Sequence, residues 1–88
     1  MTVAVDRAAI RAAVTDYVAS ICKRPALILA PTMRLDEVAE MDSMKWIETI
    51  AVLEERLGVE IATESLDALV VVDDIVELLA RARQARSP

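Results

Sequence analysis

The chain has 88 residues, 28% of them charged, with a net charge of −5, 15 Ala, one Gly and three Pro, a composition that fits one small, mostly helical domain spanning 1–88 with an ordered core over about 6–84. No His is present and Cys22 is the sole cysteine, so Ser-His and Cys-His nucleophiles, His-ligated metals, Cys-rich zinc sites and an internal disulfide are excluded, and an enzyme is disfavoured. No apolar run reaches the roughly 18 residues that cross a membrane, and Met1–Ala13, with two Arg and an Asp, lacks the apolar stretch of a secretion signal, so a cytoplasmic chain is expected.

Asp6 is placed to cap a helix running to about Cys22, because Ile10, Val14, Tyr17, Val18 and Ile21 fall on one helical stripe. Lys23-Arg24-Pro25 ends it, since basic residues suit a last turn and Pro cannot continue one. Residues 23–42 then read as a long loop punctuated by Pro25 and Pro31. Leu27, Ile28 and Leu29 are expected to tie this loop to the core, Met33 and Met41 to anchor it, and Leu35–Glu40 to form one helical turn. A loop of this length in a small domain is functional or conceals an element.

Ser43–Leu57 carries the strongest helical pattern. At 100° per residue from Ser43, Trp46, Ile50, Leu53 and Leu57 fall at roughly 280–340°, which is the expected buried stripe. Ile47, Ala51, Met44, Glu54, Glu55 and Glu48 fall at roughly 20–140°, a second face that is apolar in the middle and acidic at its margin. Lys45 and Arg56 lie on the opposite flank. Gly58 follows where a left-handed residue is wanted.

Val59–Ile61 reads as extended. A short helix is expected over Thr63–Leu69, capped by Thr63. Val70–Val72 is β-branched, but only Val59–Ile61 is at hand to pair with it, so it reads as a packed connector. A last helix from about Val72 to Gln84 turns Ile75, Val76, Leu79 and Ala82 inward. Asp73 and Asp74 in its first turn and Arg81 and Arg83 in its last complement the dipole, with fraying from Arg86. The expected fold is all-α: a four-helix bundle of three longer helices and one short, with a long loop between the first two.

Charge is unevenly distributed. Residues 1–35 carry five basic and two acidic groups, residues 36–77 thirteen acidic groups with only Lys45 and Arg56, and residues 78–88 three Arg. The central stretch repels nucleic-acid phosphates and attracts a basic protein surface; its plainer reading is a solvated acidic face.

Asp42-Ser43-Met44 opens the strongest helix directly after the long loop. Ser43 is placed as its N-cap, with Asp42 adding a favourable charge near the positive end. A hydroxyl at an exposed helix start can also accept an incoming group without breaking core contacts, and a phosphate there meets free backbone N–H groups and the dipole.

The run Leu35-Asp36-Glu37-Val38-Ala39-Glu40-Met41-Asp42-Ser43-Met44, followed by Ile47-Glu48 and Leu53-Glu54-Glu55-Arg56-Leu57-Gly58-Val59-Glu60-Ile61, resembles an acyl carrier protein. So does Val72-Asp73-Asp74-Ile75-Val76-Glu77-Leu78 near the end of the chain. The family's signature is an Asp-Ser-Leu or Asp-Ser-Met triplet opening its second helix, and the likeness covers roughly residues 6–82. It implies a non-catalytic, stand-alone carrier whose Ser43, beside Asp42, bears 4′-phosphopantetheine, installed from coenzyme A by a phosphopantetheinyl transferase. The terminal thiol of that arm would hold acyl intermediates as thioesters for loading and transfer enzymes with basic docking surfaces. The family's partner-binding positions fall on Met44, Ile47, Glu48, Ala51, Glu54 and Glu55. No metal, nucleic acid or membrane is implied.

The chain also departs from the family. Glu40-Met41 stands where a Gly is usual, Lys45 where an acid is frequent, and Val71 where Thr usually begins the last helix, which leaves Asp73 to cap. Trp46 replaces a usually small residue and is placed to occlude an interior acyl pocket. These features point to a dedicated biosynthetic pathway. An aminoacyl or peptidyl carrier is the alternative within the class, and an unmodified helical adaptor that binds a basic partner is the alternative outside it.

Overall fold

In the computed structural model, which describes residues 6–38 and 40–86, α1 spans Arg7–Cys22. Asp6 Oδ1 accepts the Ala9 N–H at 3.1 Å and so satisfies one of the donors that a helix start leaves open. Lys23 closes the helix in the left-handed conformation, φ 56°, and the Arg24 N–H donates to the Ala19 carbonyl at 2.9 Å. Ile10, Val14 and Val18 are buried, while Tyr17 and Ile21 are half-buried at the edge of the same stripe. The Arg56 guanidinium lies 5.5 Å from the centre of the Tyr17 ring, so a cation–π contact joins this edge to the next helix.

That helix, α2, spans Ser43–Leu57 and ends at Gly58, φ 67°. Trp46, Ile50 and Leu53 are buried as the spacing requires, and Leu57 is half-buried. Thr49 is fully buried as well, which polarity alone did not suggest; its Oγ1 donates to the Lys45 carbonyl at 2.7 Å, so the hydroxyl enters the core already satisfied. The third helix, α3, spans Val72–Arg86 and continues past the expected end at Gln84, with Arg86 still helical. Ser87 and Pro88, also expected to fray, lie outside the described residues. Val72, Ile75, Val76, Leu79 and Ala80 are buried, with Ala82 half-buried beside them. Packing of α3 is most extensive against α1.

The described residues form three α-helices. The expected short fourth helix is a 3₁₀ helix, Thr63–Ala68. Ala62, not Thr63, occupies its cap position and makes no side-chain bond there. The turn expected over Leu35–Glu40 is likewise a single 3₁₀ turn, Leu35–Glu37, with the Glu37 carboxylate accepting the Arg34 N–H at 2.9 Å.

The long loop is organised by the start of α3. The Leu35 N–H donates to the Val70 carbonyl, Val72 N–H to Met33 and Asp73 N–H to Pro31, each at 2.9 Å, and Arg34 and Val71 form an isolated antiparallel bridge. The Val70–Val72 connector therefore pairs with the long loop rather than with Val59–Ile61. These bonds also satisfy N–H groups in the first turn of α3. Asp73 does not cap: it pairs with Arg11 at 2.6 Å, while Asp74 Oδ2 accepts the Val70 and Val71 N–H groups at 2.9 and 3.0 Å. These two N–H groups hold the Asp74 carboxyl below its ordinary value. Of the apolar triplet in the loop, Leu29 is buried and Leu27 half-buried, but Ile28 is 81% exposed and ties nothing down. Met41 is buried and Met33 half-buried, as anchors should be.

A surface clamp adds to the α1–α3 packing. Glu77 accepts the Arg7 Nε and Nη2 at 2.9 and 3.1 Å and the Arg81 Nε at 3.3 Å. The Arg7 guanidinium, with Arg81 behind it, pulls the Glu77 carboxyl from 4.5 to about 2. A carboxyl depressed on folding stabilises the fold above its unfolded value and stops doing so as pH falls through its folded value. The melting-temperature advantage of the wild type over Glu77→Gln is therefore expected to be complete above about pH 4.5 and gone near pH 2. The pair is exposed and screened, so the advantage should be small and should shrink with salt. A gap between the two proteins that persists at pH 2 would show that the carboxylate is not its source.

Candidate functional site

The site begins at the start of α2. Asp42 is the N-cap, not Ser43: its backbone is extended, its Oδ1 accepts the Lys45 N–H at 2.8 Å, and its carbonyl accepts the Trp46 N–H at 3.0 Å. Ser43 is thus the first helical residue. It is exposed, and among the described residues its hydroxyl makes no hydrogen bond. With Lys45 N–H and Trp46 N–H engaged, the Ser43 and Met44 N–H groups have no acceptor within the helix, and the positive end of the dipole lies at the hydroxyl. The expectation that placed both roles on Ser43 is corrected: capping belongs to Asp42.

The approach to Ser43 is held from behind. Lys45 Nζ donates to the Glu40 carbonyl at 2.9 Å, and Arg24 pairs with the Glu40 carboxylate at 3.1 Å. The residue that replaces a glycine two or three positions before the serine therefore serves as a tether. Trp46 lies below, buried, and its Nε1 donates to the Leu35 carbonyl at 3.1 Å.

A groove of about 400 Å³ opens beside Ser43. Its walls come from Leu35 and Asp36 on one side and Leu66, Asp67 and Leu69 on the other; Met41, Trp46 and Ile50 form its apolar floor, with Asp42 and Ile47 beside Ser43. Arg34 binds Asp36 at 3.0 and 3.1 Å and holds its carboxyl below the ordinary range. Leu35, Asp36, Leu66, Asp67 and Leu69 were not singled out from sequence. The two walls are 30 or more positions apart in the chain, and the only local hint was the i, i+3 spacing of Leu66 and Leu69.

The second face of α2 divides. Met44 is 72% and Ile47 47% exposed, and Glu48, Ala51 and Glu55 are also exposed. Glu54 is half-buried, and its Oε2 accepts the Ile61 N–H at 3.0 Å, so part of its carboxylate is committed to holding the segment after α2. On the wheel Glu54 stands at roughly 20°, the acidic position nearest the buried stripe, which is why it is drawn in. Among the described residues, no group of three or more His, Cys, Asp or Glu is placed to hold a metal ion, and no helix is long and apolar enough to cross a membrane.

Residues 12–79 match the family model for the phosphopantetheine attachment site, and the chain belongs to that family, as its likeness to acyl carrier proteins implied. Domains of this family are carriers to which 4′-phosphopantetheine is covalently attached, and they work with partner enzymes that include phosphopantetheinyl transferases. No solved structure matches the chain.

Proposed function

We propose that Ser43 is the attachment point and that the protein carries acyl groups for partner enzymes of a dedicated biosynthetic pathway. The observation that carries this reading is the freedom of the Ser43 hydroxyl, left unused because Asp42 caps the helix. The site fits the group: the hydroxyl is exposed, the open Ser43 and Met44 N–H groups favour a phosphate, and the groove beside it offers an apolar surface. When bound, the group supplies a terminal thiol that holds cargo as a thioester. The chain's own residues present the hydroxyl, orient the helix start and offer a docking face, while the chemistry is performed in the partners. The apolar floor of Met41, Trp46 and Ile50 favours an acyl cargo. The carboxylates of Asp36, Asp42 and Asp67 at its rim favour the second reading, an aminoacyl cargo whose ammonium they would attract.

Incubation with coenzyme A and a broad-specificity phosphopantetheinyl transferase is expected to raise the intact mass by a single phosphopantetheine. Full retention of the original mass would favour the unmodified adaptor.

Docking is assigned to Met44, Ile47 and Ala51 as an apolar strip, with Glu48, Glu54 and Glu55 as its acidic margin toward a basic-rimmed partner. Because Glu54 holds Ile61, the clean test reverses Glu48 and Glu55 to Lys. That double variant is expected to melt like the wild type but to be loaded about tenfold or more slowly at low salt, a gap that closes as salt is raised. Equal rates at low salt would mean that the acidic margin is only solvated.

A further inference from the structure

The chain just ahead of Ser43 is held by two cations. Lys45 grips it twice, on either side of Met41: its main-chain N–H donates to Asp42 Oδ1 at 2.8 Å and its Nζ to the Glu40 carbonyl at 2.9 Å. Arg24 Nη1 donates to both oxygens of the Glu40 carboxylate, at 3.1 and 3.3 Å. Arg24 is itself fixed, since its N–H donates to the Ala19 carbonyl at 2.9 Å and its own carbonyl accepts the Leu27 N–H at 3.0 Å. A continuous path of polar contacts thus runs from the end of α1 through Arg24, Glu40 and Lys45 to the first turn of α2. Val38 and Met41 are buried beside it, and the Met41 N–H donates to the Val38 carbonyl at 2.9 Å.

Stability does not account for this path. Arg24 and Lys45 are exposed and Glu40 is half-buried, and ion pairs at the surface contribute little. Docking does not account for it either. A lysine in the first turn repels the basic-rimmed partner that the acidic margin attracts, and it faces the positive end of the helix dipole. What the path fixes is the backbone over 40–42, and that backbone sets the direction of the Ser43 hydroxyl.

We propose that Lys45 is a positioning residue for the modification. With Glu40 and Arg24 it holds Ser43 in the orientation the transferase uses, and so sets the turnover of loading rather than the affinity. The inference rests on Ser43 being the attachment point. In that transfer the Ser43 oxygen bonds to the phosphorus that bears the pantetheine arm and the pyrophosphate P–O bond breaks. Adenosine bisphosphate leaves, and the hydroxyl proton passes to a base of the transferase. Lys45 touches none of these atoms; it acts through the backbone that presents the hydroxyl.

Loading rates are measured across carrier concentrations with coenzyme A and a broad-specificity phosphopantetheinyl transferase, and each product is verified by intact mass. Lys45→Met is expected to lower kcat about tenfold with KM little changed, because a misplaced reacting group costs turnover. Lys45→Glu is the sharper variant. An acid in the first turn suits the dipole and the basic partner, so the melting temperature should not fall and KM should stay or drop, yet kcat should fall as in Lys45→Met. Lys45→Arg, which keeps a cationic donor, should recover kcat to within about twofold of the wild type. Without any transferase, amide hydrogen exchange at Met41 and Trp46 is expected to quicken several-fold in Lys45→Met while Leu53 and Leu79 hold their protection. Wild-type or higher kcat in Lys45→Glu would overturn the proposal and leave the lysine a surface charge. A loss in Lys45→Arg as large as in Lys45→Met would overturn it as well, and so would unchanged exchange at Met41 and Trp46. Absence of any mass gain in the wild type would overturn the attachment reading and this one with it, whereas a mass gain with equal kcat in every variant removes the positioning role alone.

Discussion

Aspartate in place of Leu53 or Ile50 is expected to abolish cooperative thermal unfolding, whereas aspartate in place of Ile47 should leave it intact. Leu53 is fully buried and Ile50 2% exposed, and both belong to the core cluster that joins the three helices. A carboxylate at either place would lie among apolar side chains with no partner, at a cost of several kcal/mol, comparable to the whole stability of so small a domain. Ile47 is 47% exposed on the neighbouring face of the same helix. Its replacement should change stability by no more than about 0.5 kcal/mol, which moves the melting temperature by only about 2–4 °C. The folded Ile47→Asp protein should nevertheless be loaded slowly, because it places a charge where a partner would cover an apolar spot. Circular dichroism melts paired with loading rates test both halves. A melted Ile47→Asp would show that this residue is structural, and normal loading by the folded variant would remove it from the docking face.

The second large effect separates two adjacent residues. Ser43→Ala should gain no phosphopantetheine and should melt within a few degrees of the wild type, because its hydroxyl caps nothing. Asp42→Ala keeps the hydroxyl but loses the bond to the Lys45 N–H. Losing such a cap costs about 0.5–2 kcal/mol, which in a domain of this size lowers the melting temperature by roughly 4–8 °C for each kcal/mol. Intact mass and thermal melts on the two variants should therefore give opposite results. A mass gain in Ser43→Ala would place the group on another hydroxyl, and a large loss of stability there would return the cap to Ser43.

What was legible in the sequence was whatever depends on near neighbours. Helical spacing located the ends of α1 and α2, and the single glycine marked where α2 stops. The Asp-Ser-Met triplet and the acidic face located the candidate site, although Asp42 and Ser43 compete for one cap within a single residue and only backbone geometry separates them. Thr49 shows another limit: on the wheel it borders the buried stripe, but the spacing of apolar residues does not include it, and it enters the core because its own helix supplies an acceptor for its hydroxyl. The groove was hidden because its walls, Leu35-Asp36 and Leu66–Leu69, meet only after the chain has folded back on itself. The same holds for the pairing of Val70–Val72 with the long loop.

That pairing decides which changes the loop can absorb. Its bonds run from the Leu35, Val72 and Asp73 N–H groups to the Val70, Met33 and Pro31 carbonyls, all of them main-chain atoms. Nearly any side chain at 35, 72 or 73 leaves such atoms in place, and proline alone removes a donor. Exposed positions of the stretch between the first two helices, such as Ile28, are thus free to drift in composition while Leu29, Val38 and Met41 stay in the core and the wall beside Ser43 keeps its position, so a new partner can be accommodated by exchanging surface side chains of the loop without rebuilding the scaffold.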